Sequence, residues 1–194
     1  MGELLEPRRL FAAVLEGTAF RVNGTAGDDV IEVSVDGDAA TVTDNGVTST
    51  FTLPDRVDFR AFLGEGDDRL TVTIDGRDLR STIYGGTGDD VIDVAAGAGR
   101  LLAVAQGGND SVTLARGDGG SVPPRSTVYG NDGDDGDDSL EGAAGRDLTD
   151  GGVGADTLRG SAATDNLAGG AGTDLFAIDE RDEVTDEDDG DVFE

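Results

Sequence analysis

Five aspartates toward the C-terminal end, Asp138, Asp147, Asp156, Asp165 and Asp174, stand nine residues apart. Carboxylates at a fixed step among glycines suit a hard cation, because Ca2+ takes six to eight oxygens from carboxylates and backbone carbonyls in a flexible geometry. The frames around them read GDDGDDSLE (133–141), GAAGRDLTD (142–150), GGVGADTLR (151–159), GSAATDNLA (160–168) and GGAGTDLFA (169–177). Glycine at positions one, two and four lets the backbone curl so that carbonyls face inward, with conformations other residues resist. Aspartate at position six is short enough to reach into the curl, where glutamate would overshoot. One loop has too few oxygens, so each ion is expected between loops stacked one turn apart. The pairs are Asp138 with Asp156, Asp156 with Asp174, and Asp147 with Asp165. Asp135 and the glycines Gly133, Gly136, Gly151, Gly154, Gly169 and Gly172 complete the candidate ligand set of this region. Ala163 replaces the fourth-position glycine before Asp165, which makes 160–168 the weakest expected site.

Pieces of the same frame occur upstream. Gly85-Gly86-Thr87-Gly88-Asp89-Asp90-Val91-Ile92 is complete, with Gly85, Gly88 and Asp90 as ligand candidates. Asp29, Asp68 and Asp110 close shorter versions, each followed two residues later by an apolar side chain. The steps from Asp29 are 39, 22, 20, 28, 18 and 18 residues, ending at Asp174. A solenoid turn built from two nonapeptides has 18 residues, so the series reads as one column of loops, one per turn, with a skipped turn between Asp29 and Asp68 and an insertion before Asp138. A second column is expected midway, at Asp75-Gly76, 96–99, 118–120, Asp147 and Asp165.

The elements that must position these loops are short strands. RLTVTI (69–74), TIY (82–84), VIDVA (91–95), LLAVA (101–105), SVTLA (111–115) and STVY (126–129) are rich in β-branched residues and often alternate. The residues two after the first-column aspartates, Ile31, Leu70, Ile92, Val112, Leu140, Leu158 and Phe176, then point inward as a ladder at the strand spacing of about 4.8 Å. The second column offers Thr149 and Leu167, a poorer set, and the C-terminal core is expected to be thin. Residues 33–62 are strand-rich but fit either regular turns or a hairpin.

Composition narrows the chemistry. The 194 residues carry 42 acidic and 14 basic side chains, a formal net charge of −28, with 32 glycines and neither cysteine nor histidine. Disulfides, Cys/His zinc sites and Ser-His-Asp or Cys-His catalysis are excluded. Counterion-release binding of nucleic acid needs Lys and Arg patches, which such a chain lacks. No apolar run approaches the 18 residues of a membrane span. Asp132, Asp134 and Asp135 lack the spacing and bidentate glutamate of an EF-hand, and magnesium demands stricter octahedra than these loops offer.

The frame G-G-x-G-x-D-x-U-x resembles the calcium-binding nonapeptide of RTX (haemolysin-type) proteins. The resemblance is carried by 133–177 and 85–92 and is partial elsewhere. It implies an all-β parallel β-roll or β-helix with several Ca2+ ions between its turns, ordered only when calcium is present. The expected organisation is an N-terminal segment or cap (1–17), irregular solenoid turns (18–131), a regular β-roll (132–178) and an acidic tail (179–194). Arg8-Arg9-Leu10-Phe11 resembles the core of a twin-arginine signal, and Asp191-Val192-Phe193 resembles the end of a type I secretion signal. The expectation is a non-enzymatic, secreted or cell-surface calcium-binding module. The alternatives are an adhesive or structural module meeting a surface glycan or surface-layer protein, and a polysaccharide-acting enzyme.

Overall fold

The computed structural model describes residues 12–96, 99–116, 126–130, 136–186 and 190–194, and among them it contains strands and no helix. Among the described residues nineteen strands form two sheets. The first stacks β1 (Ala12–Glu16), β2 (Ala19–Asn23), β6 (Asp58–Glu65), β8 (Arg80–Thr87), β10 (Leu101–Gly107), β12 (Ser126–Tyr129), β14 (Leu148–Val153), β16 (Asn166–Ala171) and β18 (Glu183–Asp186) in that order. The second begins at the opposite end of the chain. Its order is β19 (Val192–Phe193), β17 (Leu175–Ala177), β15 (Thr157–Arg159), β13 (Ser139–Glu141), β11 (Ser111–Arg116), β9 (Val91–Ala96), β7 (Arg69–Asp75), β3 (Val30–Asp36), β4 (Ala39–Asp44) and β5 (Val47–Thr52).

From β6 onward the chain alternates between the sheets and every pairing is parallel, as a solenoid requires. Inward residues meet in register: Leu70 pairs with Ile31 and Ile92, and Leu158 with Leu140 and Phe176. All seven expected ladder residues are buried, as are Thr149 and Leu167. The core is uneven. Phe20, Phe59, Leu63, Leu70 and Ile83 belong to one large cluster in the first two thirds, whereas Leu158, Leu167 and Phe176 form a separate small one. Small residues at the C-terminal repeats explain the difference, since each missing methylene forfeits about 0.8 kcal/mol of burial.

Three features depart from the sequence expectation. No turn is skipped between Asp29 and Asp68: β3 pairs directly with β7, and the surplus residues form the antiparallel β4–β5 excursion. Asn45 and Gly46, at φ of 44° and 84°, make the two-residue primed turn that joins β4 to β5. Arg77 ties this excursion to the stack, its Nη2 donating to the Pro54 and Asp55 carbonyls at 2.6 and 3.1 Å. Second, β4 lies where a preceding turn of the second sheet would lie. Third, residues 183–186 and 192–193, expected within an acidic tail, pair as β18 and β19 and extend both sheets. Residues 1–11, the 97–98 and 118–120 parts of the second column, and the acidic run 131–135 lie outside the described residues.

Candidate metal centre

The edge of the stack where the chain leaves the first sheet for the second gathers Asp29, Asp68, Asp90, Asp110, Asp138, Asp156 and Asp174 into one buried column. Each follows a glycine-containing curl and immediately precedes a strand of the second sheet. The backbone N–H of each aspartate donates to Oδ1 of the aspartate one turn later. These bonds run from Asp29 to Asp68 (2.7 Å), Asp68 to Asp90 (2.9 Å), Asp90 to Asp110 (2.7 Å), Asp110 to Asp138 (2.8 Å), Asp138 to Asp156 (2.8 Å) and Asp156 to Asp174 (2.9 Å). Asp174 in turn donates to Asp191 at 2.9 Å, so the column reaches the last strand. One carboxylate oxygen per turn is thereby fixed.

The other oxygen is what makes the edge a candidate site. Oδ2 of Asp68, Asp90, Asp110, Asp138 and Asp156 is buried and has no hydrogen-bond partner. A buried ionised oxygen without a donor is costly, so it calls for a proton or a cation. Burial raises these carboxyls first, neighbouring carboxylates add to it, and the accepted backbone N–H opposes both. The result is about 6 for Asp68, Asp110 and Asp156 and about 7 for Asp90 and Asp138, against an ordinary 3.8.

Backbone oxygens stand beside these carboxylates. A Cβ added to Gly151 would collide with Asp156 Oδ2 and press on the Gly169 carbonyl of the next turn. Gly130 stands in the same way to Asp138 Oδ2 and the Gly151 carbonyl, and Gly85 to Asp90 Oδ2 and the Ala105 carbonyl. At position four, Gly154 and Gly172 leave room for the carbonyls of Gly136 and Gly154 one turn back. Only glycine keeps these cradles open. Among the described residues no group of three acidic side chains could by itself hold a metal ion. The donor set is therefore one carboxylate oxygen per turn with carbonyls from two turns, all oxygen, which fits calcium's preference.

The opposite edge carries a shorter column. Ser126 N–H donates to Asp147 Oδ1 at 2.8 Å, Asp147 to Asp165 at 2.7 Å and Asp165 to Asp182 at 3.0 Å. Asp165 Oδ2 is buried without a partner, and burial with the nearby Asp147 carboxylate raises Asp165 to about 7. Ser161 and Ala163 in its loop adopt φ of 78° and 109°, a strained choice for residues with a side chain. Among the described residues this column holds no aspartate at the equivalent place upstream. Ser126 pairs with Leu101 and Leu101 with Ser81, and Asp75 sits at an exposed strand end instead.

Two expected ligands differ from the rest. Asp29 takes 2.6 and 2.9 Å bonds from Thr25 N and Oγ1 on Oδ2, and a 3.0 Å bond from Asn45 Nδ2 on Oδ1. Asp147 accepts Ala143 N–H on Oδ2 at 3.0 Å. Gly133 and Asp135 lie outside the described residues, and Gly130 fills the position-one place of the Asp138 loop, the intervening insertion having displaced the frame. Gly136 and Gly154 bring carbonyls to the stack, and Gly88 and Gly172 stand against the carbonyls of Gly66 and Gly154.

Spacing alone missed Asp182 and Asp191, although Phe193, two residues after Asp191, carries the apolar signal that marks the column. It also missed an outer ladder at position five. There Asp67 N–H donates to Asp28 Oδ1, Asp89 to Asp67, Asn109 to Asp89, Asp137 to Asn109 and Ala155 to Asp137, at 2.7 to 3.1 Å. This ladder runs in the opposite sense to the buried one.

Comparison with known families gives one result. Residues 73–101, 126–158 and 150–176 match the model of the RTX calcium-binding nonapeptide repeat, in four copies. No curated protein and no solved structure matches the chain.

Proposed function

Because the chain carries RTX calcium-binding nonapeptide repeats, a calcium-binding β-roll module, we propose that it folds on binding calcium and acts as a folding and secretion module or a cell-surface module outside the cell. The observation that carries this reading is the row of buried, donorless Oδ2 atoms at Asp68, Asp90, Asp110, Asp138 and Asp156. Without a counter-charge this row repels itself and weakens the stack. Bound calcium supplies that positive charge, and its binding free energy becomes folding free energy. The chain's residues do the rest: Asp Oδ1 holds the turns in register, and glycines admit carbonyls beside Oδ2. The low calcium affinity typical of extracellular modules suits a switch that stays open inside a cell and closes outside it.

The test is a calcium titration of the calcium-free protein, followed by circular dichroism and calorimetry. A coil-to-β transition with several ions bound per chain is expected. Unchanged spectra with no calorimetric heat would sink the reading.

A second reading, calcium-dependent adhesion, is favoured by the outer face of the first sheet. Phe62 on β6 and Tyr84 on β8 stack there at 5.1 Å and 8°, and Phe62 is exposed. Calcium-dependent binding to glycans or whole cells, lost in Phe62→Ala, is the expected result of that reading. Equal binding by the variant would remove it. With the clustered column aspartates read as calcium ligands, the chain is read as a non-catalytic module.

A further inference from the structure

Seven loops of the two columns fall into two groups, and the backbone at position two separates them. In the loops of Asp68, Asp90, Asp110, Asp156 and Asp165, position two is Gly64, Gly86, Gln106, Gly152 or Ser161. Their φ angles are 122°, 130°, 84°, 107° and 78°. In every one of these loops Asp Oδ2 is buried without a partner. In the loops of Asp29 and Asp147, position two is Thr25 or Ala143, and neither has a positive φ. There the position-two N–H donates to Oδ2, at 2.6 Å from Thr25 and 3.0 Å from Ala143.

The physics behind the division is local. A trans peptide is planar, so its N–H and C=O point in opposite directions. A positive φ at position two turns its N–H away from the carboxylate and reverses the position-one carbonyl with it. An ordinary negative φ leaves the N–H on the carboxylate, where it takes the place a cation would need. Glycine adopts the first arrangement without strain, and a residue with a side chain favours the second.

We propose that position two decides which loops hold calcium: the loops of Asp29 and Asp147 are closed by their own amide and bind none, while those of Asp68, Asp90, Asp110, Asp156 and Asp165 each present an oxygen to an ion. This rests on the calcium reading above. It divides the aspartates that spacing treats as equal, and it makes the Asp29 end of the main column a cation-free start, closed further by Thr25 Oγ1 and Asn45 Nδ2.

The experiment is calorimetric Ca2+ titration of the full chain and of four variants, Asp29→Asn, Asp147→Asn, Asp90→Asn and Asp156→Asn. Asp90→Asn and Asp156→Asn are expected to bind one ion fewer than the wild type each, and Asp29→Asn and Asp147→Asn the wild-type number. A second measurement needs no variant. In the calcium-bound protein, the amides of Thr25 and Ala143 should show the slow hydrogen exchange of donors to a carboxylate. Loss of one ion in Asp29→Asn or Asp147→Asn, or rapid exchange of both amides, would overturn the proposal. A wild type that binds no calcium at all would instead overturn the calcium reading, so the two failures are distinguishable.

Discussion

At Asp156 the two carboxylate oxygens have separate duties. Oδ1 accepts the Asp138 amide and sets the register, while Oδ2 faces the Gly169 carbonyl without a donor. The sequence revealed the place of this residue because aspartate plus an apolar residue two later marks an inward-facing strand start. It could not reveal that Asp29 and Asp147 each accept an amide of their own loop on Oδ2, because that depends on the backbone at Thr25 and Ala143 rather than on spacing. Two predictions belong at this scale. Ala163→Gly removes a φ of 109° from an alanine, and the relief of about 1–3 kcal/mol of strain outweighs the roughly 0.5–1 kcal/mol that glycine's freedom costs. Denaturant unfolding in calcium should show a gain of about 1 kcal/mol. Thr149 is fully buried in the ladder with Oγ1 unpartnered, so Thr149→Val should stabilise by about 1–3 kcal/mol, read as a higher melting temperature.

Among the elements, the parallel strands β7 to β12 were legible from alternation and β13, β15 and β17 from the ladder, whereas β6 lies mostly in the 33–62 stretch that fitted two readings. For 33–62 regular turns and a hairpin were both open, and Asn45-Gly46 between two apolar-alternating runs, the strongest short hairpin signal available, is where the β4–β5 hairpin forms. The long step from Asp29 to Asp68 was fitted to a missing turn. Strands β18 and β19 were hidden by charge, since DERDEV and DGDVFE read as solvated acid runs until their register with β16 and β17 is known. The uneven core gives a contrast between elements. Phe59→Ala, at the centre of the large cluster beside Phe20, should cost about 3–5 kcal/mol in calcium-bound protein. Phe176 packs with Leu158 and Leu167 in the small cluster and stacks on Phe193 at 5.2 Å, so the effect of Phe176→Ala should be confined to the last turns. Hydrogen exchange should show protection lost in β15–β19 and kept in β2–β9.

For the molecule as a whole, the raised carboxyls fix the direction of its pH response. The folded pKa values of about 6 to 7 at Asp68, Asp90, Asp110, Asp138, Asp156 and Asp165 lie above the unfolded 3.8. Between about pH 4 and 7 the folded calcium-free chain therefore holds more protons than the unfolded one, and its stability falls as pH rises through that window. In chelator, circular dichroism should show more β structure at pH 5, where these carboxyls are protonated, than at pH 7.5, where the calcium-free chain is coil. Calcium-loaded protein should show the reverse trend, because protons compete for the same oxygens.

The hydrogen bonds of both sheets, and both aspartate ladders, lie along the stacking direction. Tension applied to the two ends would therefore load one rung at a time, like a zip, rather than shearing all strands together. Each turn from Asp138 to Asp156 would pay out 18 residues, about 60 Å of extended chain. The single step from Asp29 to Asp68 would release 39, about 130 Å. Force–extension traces should show short steps from the C-terminal end, one of intermediate length where 28 residues separate Asp110 from Asp138, and one long step at the other end.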